Sequence, residues 1–345
     1  MKFIHTADLH LDAPLTGTAF RSAVRRSMLQ VLEQIIEYAH THSIPHVVIA
    51  GDLFDSPTPS AVMLGTVREM MERASEQFWI APGNHDRWVQ DRYLGITWPE
   101  NVHVFGKEIQ CVTTPEGVFV GAGFYEGMSE HPLRQLSLSE PMSVGVFHGS
   151  LGDTTPAYRI DESALRQSGL GYVALGHIHK AADPTYVGGT LVATCGSPLS
   201  HGFDEPGQRS FLVVEMSAGG ITWNRVATDS VRFYEEEICL EENLSSADIL
   251  GKLMVSAAKY KEKDIFRFRL TGKTACALPT ALEEYPALAE IIDETTLPLS
   301  VGKLAQEQSL RGYFVSGMLE KMAAADEAER AKYEAALRLG LEAFE

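Results

Sequence analysis

At 345 residues with 45% hydrophobic composition, the chain exceeds the roughly 250–300 residues at which a single core stops growing, so a large domain with a smaller companion is expected. A formal net charge of −17 excludes broad electrostatic attraction to a polyanion, so any nucleic-acid substrate must be held by local basic groups or bound cations. The scattered Cys111, Cys195, Cys239 and Cys276 form no Cys-x-x-Cys pair and no apolar run nears the roughly 18 residues of a membrane span, which points to buried reduced thiols in a cytoplasmic, non-membrane protein.

Strand-like runs alternate with helical periodicity from Met1 to about Arg225. Phe3-Ile4 opens a strand that runs into Asp8-Leu9-His10. Val24, Met28, Val31, Leu32, Ile35 and Ile36 mark one face of a helix over Arg21 to His42. Val47-Val48-Ile49-Ala50 reads as a buried strand that stops at Gly51-Asp52 and continues as Leu53-Phe54-Asp55. Ser60 after Pro59 suits the N-cap of a second helix, Ser60 to Ala74, and Phe78 to Ile80 leads into Gly83-Asn84-His85-Asp86. This spacing predicts βαβ crossovers. After Cys111 shorter strands follow: Gly117 to Ala122, Ser143 to Phe147 ending at His148, Gly171 to Leu175 ending at Gly176-His177-Ile178-His179, then Thr190 to Thr194, Arg209 to Glu215 and Gly220 to Val226. Residues 1–228 are therefore expected to form an α/β domain of layered αββα type.

Residues 229–302 predict a small α+β cap, with a strand at Phe233 to Cys239, a helix at Ser245 to Tyr260, and strands at Ile265 to Thr271 and Thr295 to Val301. Lys259, Lys261, Lys263, Arg267 and Arg269 concentrate positive charge there. Arg267 and Arg269 share a strand face and are candidate DNA contacts, although a strand edge kept polar against aggregation accounts for them equally. Residues 303–345 read as C-terminal helices. Leu310, Phe314, Val315, Met318, Leu319 and Met322 fall at helical spacing, as do Tyr333, Leu337, Leu341 and Phe344, so these faces either pack on their own domain or dock a partner helix.

Five strand ends thus deliver Asp, Asn or His. One would be an ordinary turn; five together predict a metal site built from nitrogen and oxygen at the carboxyl ends of the strands. The Asp8/His10 and His177/His179 pairs each reach one side of an extended segment. Asp8, His10, Asp52, Asn84, His148, His177 and His179 outnumber the ligands that one ion takes from protein, which predicts two divalent ions about 3.5–4 Å apart and attack of a metal-bridging hydroxide on a phosphoester. The donor types suit Mn2+, with Fe2+ or Zn2+ as alternatives.

The ordered motifs Asp8-Leu9-His10, Gly51 to Asp55, Gly83 to Asp86, His148 and Gly176 to His179 resemble those of the calcineurin-like metallophosphoesterases. With His5 to Leu11, Gly196-Ser197-Pro198 and Glu205, they resemble the SbcD- and YhaO-type DNA repair exonucleases. The YhaO likeness is carried by Leu11-Asp12-Ala13-Pro14-Leu15. The resemblance covers about the first 215 residues. It implies that Asp8, His10, Asp52 and His179 hold one ion, that Asp52, Asn84, His148 and His177 hold the other, and that His85 is the catalytic histidine. Asp86 is expected to orient His85, and Asp55 stands where some relatives carry a histidine. His201 is a weaker candidate for a place near the site. The implied activity is hydrolysis of DNA phosphodiester bonds, exonucleolytic or endonucleolytic, with an SMC-like coiled-coil ATPase as partner; the oligomeric state, homodimer included, is left open. The alternative is a phosphoesterase for small molecules or phosphoproteins, since the motifs specify ions better than substrates.

Overall fold

A computed structural model describes residues 1–14, 20–86, 88–89, 92–138 and 140–344; Leu15, the last residue of the YhaO-like run, lies outside them. The described residues part into two units, Met1–Arg232 and Phe233–Glu345.

In the first unit, helix α1 (Arg21–Thr41) buries Val24, Met28, Val31, Leu32, Ile35 and Ala39 along one stripe. Helix α2 (Ala61–Arg73) is capped by the Ser60 hydroxyl, which accepts from Met63 N at 3.4 Å, and it buries Met63, Val67 and Met71. Both connect parallel strands of a six-stranded sheet in the order Gly220–Ala227, Ser210–Ser217, Lys2–Thr6, His46–Ile49, Gln77–Ile80, Val102–Val104. His46–Ile49 is buried throughout, which is why it shows no polar alternation. Thr6 sits level with Ile49, and Ile49 with Ile80, so the segments carrying Asp8, Asp52 and Asn84 leave the sheet side by side.

A second six-stranded sheet places Tyr172–Gly176 in parallel between Ser143–His148 and Thr190–Thr194. Gly176 pairs with His148, which brings His148 next to the turn bearing His177 and His179. Phe3, Val48, Trp79, Phe119, Val146, Tyr172 and Leu212 share the core between the sheets. Helix α3 (Glu162–Ser168) covers the far face of the second sheet through Ala164 and Leu165. The architecture is the expected layered αββα sandwich.

The second unit holds a three-stranded sheet in the order Arg232–Leu240, Asp264–Gly272, Leu288–Asp293, with helix α4 (Ser246–Ala257) opened by a Ser245/Asp248 capping box. Asp264–Gly272 and Leu288–Asp293 run parallel. The sequence predicts a strand over Thr295 to Val301, and here the structure differs: the strand is Leu288–Asp293, and helix α5 (Leu299–Leu304) begins after Pro298, whose fixed φ suits a helix start. Helices α6 (Leu310–Ala324) and α7 (Glu327–Glu342) follow. Val315, Met322, Leu337 and Leu341 form a buried cluster with Val301, joined by Phe314, Met318, Leu319 and Tyr333, so most of their apolar residues pack within this unit. Leu310, 81% exposed, does not. The thiols are free, but only Cys195 is buried; Cys111 and Cys239 are exposed, contrary to the expectation of burial. No helix among the described residues is long and apolar enough to cross a membrane.

Candidate metal centre

The two loops that follow Lys2–Thr6 and His46–Ile49 are zipped together by backbone bonds: Asp8 N donates to Gly51 O at 3.0 Å, His10 N to Asp52 O at 3.0 Å and Leu11 N to Leu53 O at 2.9 Å. Within them Asp8, His10 and Asp52 adopt φ of 54°, 43° and 49°, and His177 adopts 83°. Left-handed backbone costs a non-glycine residue about 1 kcal/mol or more, and it persists where the surrounding bonds over-determine it. Gly83 is required by space: a Cβ there would lie 2.1 Å from Asp52 Oδ1.

Each imidazole is fixed from behind by an oxygen. His10 Nδ1 meets Asp55 Oδ1 at 3.0 Å, His148 Nδ1 meets Ala50 O at 3.0 Å, His179 Nδ1 bonds Glu205 Oε1, and His177 Nε2 lies 3.4 Å from Asp153 Oδ2. For His10, His148 and His179 the acceptor on Nδ1 holds the proton there and leaves Nε2 with its lone pair, the tautomer a metal ligand needs; for His177 the acceptor is on Nε2, which leaves Nδ1. Those lone pairs converge. His10 Nε2 and His179 Nε2 are 3.0 Å apart; His148 Nε2 lies 2.9 Å from Asn84 Oδ1 and 3.3 Å from Asp52 Oδ2. Two buried carboxylates complete the centre. Asp52 Oδ1 accepts from His85 N at 2.9 Å, and Asp8 Oδ1 accepts from His177 N at 2.9 Å while Asp8 Oδ2 is buried with no hydrogen-bond partner.

The donor atoms form three overlapping groups within 4.8 Å: Asp8, His10 and His179; Asp8, Asp52 and His148; and His10, Asp52 and His85. The field is that of a cation site. Burial opposes charge on His148, yet the Asp52 and Asp8 carboxylates push it up to about 9. Burial pushes Asp8 up, with Asp52 adding to it, while Asp52, despite its own burial, is driven well down by His148 and His10. Carboxylates that stabilise positive charge this strongly against burial are set for a cation, and two shared carboxylates with an orphaned oxygen fit more than one divalent ion.

Residues 1–181 match the family model of the calcineurin-like phosphoesterases. The chain belongs to that family. It is 25% identical over 296 residues to the uncharacterized metallophosphoesterase YhaO of Bacillus subtilis, covering 80% of this chain and 70% of that one. It is 26% identical over 286 residues to the DNA double-strand break repair protein Mre11 of Methanopyrus kandleri, covering 69% and 61%, and 26% identical over 247 residues to the D component of nuclease SbcCD of Staphylococcus epidermidis, covering 60% and 64%. The chain is thus a metallophosphoesterase, and the family binds divalent metals.

Within this phosphoesterase fold, the role expected of Asp86 falls to Asp55, for which the sequence predicts none. Asp86 does not reach the His85 imidazole. It is fully buried and accepts from Leu53 N, Phe54 N, Gly83 N and Tyr93 OH, tying the Asp52 loop to the Asn84 loop. Burial, then the Asp52 carboxylate, pushes Asp86 up to about 6 against those donors. The group beside His85 is Asp55, whose backbone oxygen lies 3.1 Å from His85 Nδ1 and whose carboxylate also holds His10. Sequence reasoning missed Asp153 and gave Glu205 no role. Glu205 bonds His179, accepts from His201 N at 3.1 Å and pairs with Arg209 at 3.3 Å; despite its burial, the two histidines drive its carboxyl far below the usual range. His201 does lie at the site, with its ring 5.5 Å from that of His10 and its Nε2 on Leu9 O at 3.1 Å. Arg267 and Arg269, in the second unit, are each engaged by Glu235, with Glu290 and Glu294 as further partners.

Proposed function

We propose that this metallophosphoesterase is a two-metal phosphodiesterase that hydrolyses DNA phosphodiester bonds. The observation that carries the chemistry is the convergence of His10, His148 and His179 lone pairs, each fixed from behind, on the carboxylates of Asp8 and Asp52. Asp8, His10, Asp52 and His179 would hold one ion and Asp52, Asn84, His148 and His177 the other, with Asp52 shared; manganese is our choice of metal. When bound, such a pair supplies an activated water at neutral pH and charge to offset that of the phosphoryl group.

His85 does the work that remains. Its side chain is 44% exposed, unlike the buried His10 and His148, so an incoming phosphodiester can reach it. Asp55 O accepts from Nδ1, so the imidazolium form of His85 carries its second proton on Nε2, from which it can pass to the departing oxygen. Asp55 thereby sets the aim of both His10 and His85.

DNA as substrate rests on the relatives named Mre11 and nuclease SbcCD. An SMC-like coiled-coil ATPase is the partner this reading brings with it, although α6 and α7 spend most of their apolar residues inside the second unit. Four free thiols suit a cytoplasmic setting. The second reading, a small-molecule or phosphoprotein substrate, is favoured by the net charge of −17 and by the engagement of Arg267 and Arg269 with carboxylates. Incubation of the Mn2+-loaded protein with linear, hairpin and single-stranded DNA, beside a chromogenic phosphodiester and a phosphomonoester, separates the two. Cleavage of the chromogenic diester with no DNA product would leave the phosphodiesterase and remove the nuclease.

A further inference from the structure

His177 is the least secured of the histidines that the proposed function assigns to the ions. Its backbone takes the left-handed φ of 83°, and of His10, His148, His177 and His179 it alone stands outside the three groups of converging donor atoms. The carboxylate behind it, Asp153 Oδ2, lies 3.4 Å from Nε2, longer than the roughly 2.7–3.2 Å of a well-formed bond. Imidazole χ2 has a broad range, so a contact this loose does not by itself set the plane of the ring.

The plane is set by stacking. The Tyr158 ring lies on His177 with centroids 4.5 Å apart and planes 21° from parallel, and Phe124 stacks on Tyr158 in turn at 5.3 Å and 22°. Each ring is rooted in a segment that carries a ligand assigned to the same ion. Phe124 N donates to Pro82 O at 2.8 Å, just ahead of Gly83 and Asn84. Tyr158 O accepts from Ser150 N at 2.9 Å, which closes the loop that begins at His148, and a Cβ on Gly149 would lie 2.3 Å from that same oxygen. Asp153 sits within the loop, its carboxylate accepting from Thr155 N at 2.8 Å and Ser150 Oγ at 3.1 Å. Asn84, His148 and His177 are the ligands of the second ion alone, whereas His10 and His179, which serve the first, are braced by Asp55 and Glu205. The three stacked rings therefore connect the segments that hold one ion.

On the two-ion reading above, we infer that Tyr158 and Asp153 are positioning residues for His177. The tyrosine ring fixes the plane of the imidazole, the carboxylate fixes its Nε2 edge, and Nδ1 is thereby presented to the second ion. The loop from Ser150 to Tyr158 thus sets the affinity of the second ion separately from that of the first.

Calorimetric titration of the metal-stripped full chain with MnCl2 tests this. The wild type shows two binding steps, and His177→Ala marks the second ion's step by weakening it. Tyr158→Leu weakens that same step about 10- to 100-fold and leaves the other in place. Tyr158→Phe, which keeps the ring, binds as the wild type does, and Asp153→Ala weakens the same step as Tyr158→Leu. In a His177→Ala background Tyr158→Leu has no further effect, because the ring acts through the imidazole alone. Wild-type affinity for both ions in Tyr158→Leu, or a further loss in the double variant, overturns the positioning role and leaves the two ions standing. A single step in the wild type overturns the two-ion reading, and this role with it. Should Tyr158→Leu fail to fold, the Asp153→Ala result decides.

Discussion

In the first unit, carboxylates and imidazoles converge with lone pairs left over, whereas on the sheet of the second unit the named cations are met by carboxylates. Arg267 and Arg269 share Glu235, and Lys259 sits 2.6 Å from Glu236. Surplus acceptors in a buried pocket are unstable unless something completes them, and matched pairs on a surface need nothing further. The same residue types therefore carry function in one place and solubility in the other, and what distinguishes them is whether their hydrogen-bonding capacity is already spent.

The largest effect expected is from Asp52→Asn. Asparagine tolerates the left-handed backbone at this position, so the fold should survive. The shared charge is lost, and hydrolysis falls to background together with binding of both ions. Metal analysis of the purified variant checks this; two ions held at wild-type affinity would show that Asp52 is not the bridge. The corresponding blow to the second unit is deletion from Ser309. It removes Val315, Met322, Leu337 and Leu341 from the core around Val301, and single buried Leu truncations already cost about 2–5 kcal/mol. Limited proteolysis should cut the truncated chain soon after Arg232. A protease-resistant, fully folded product would mean that α6 and α7 are an appended docking segment after all. Next comes His85→Ala, which removes a proton donor and no buried acceptor. A fall of about 10²–10⁴-fold in rate with metal content unchanged is expected. Loss of an ion on this substitution would move His85 into the ligand set, which its proximity to His10 and Asp52 makes a real test.

Much of the site was legible in the sequence because its residues sit at strand ends, where an apolar run must stop, and parallel register carries such ends to one place. The supporting residues were not. Glu205 lies 26 positions from His179 and Asp153 lies 24 from His177, in loops whose path no periodicity encodes. Asp86 was not the residue that orients His85 for a related reason: Asp55 and Asp86 both lie in the motifs, and only the zipped loops decide which carboxylate turns inward to backbone amides and which faces a ring. In the second unit, Leu288–Asp293 pairs in parallel with Asp264–Gly272 and interrupts its apolar run at Glu290, so the clearer run beyond Thr295 predicts a strand although helix α5 begins after Pro298.

A smaller effect distinguishes buried histidines of the first unit from its ligands. His5 and His131 are each lowered to about 3, chiefly by burial, and His131 Nδ1 accepts from Leu133 N, which demands the neutral ring. Both are neutral in the fold and protonate near pH 6.5 in the unfolded chain. Their contribution is fully present above pH 6.5 and is lost as pH falls toward 3, about 2 kcal/mol each at pH 5. Urea midpoints at pH 7 and pH 5 should show this loss, and His131→Gln should flatten the dependence by one histidine's share. An unchanged pH slope in that variant would place the acid sensitivity elsewhere.

The smallest effect belongs to Arg267→Glu with Arg269→Glu, and it tests the comparison from the other side. If these guanidiniums were DNA contacts, each reversal would lower the slope of log affinity against log salt by about 0.9 and weaken DNA binding, while leaving a chromogenic diester untouched. Because both are already engaged by Glu235, with Glu290 and Glu294 alongside, DNA would first have to displace those carboxylates. The expected outcome is therefore a DNA affinity and salt slope near those of the wild type, with at most a slight loss of stability as exposed ion pairs become repulsive. Titration of labelled duplex DNA at several salt concentrations reads this directly. A slope reduced by nearly two would show that the carboxylates give way to phosphate, and that paired charge on this sheet is a store of contacts instead of a finished surface.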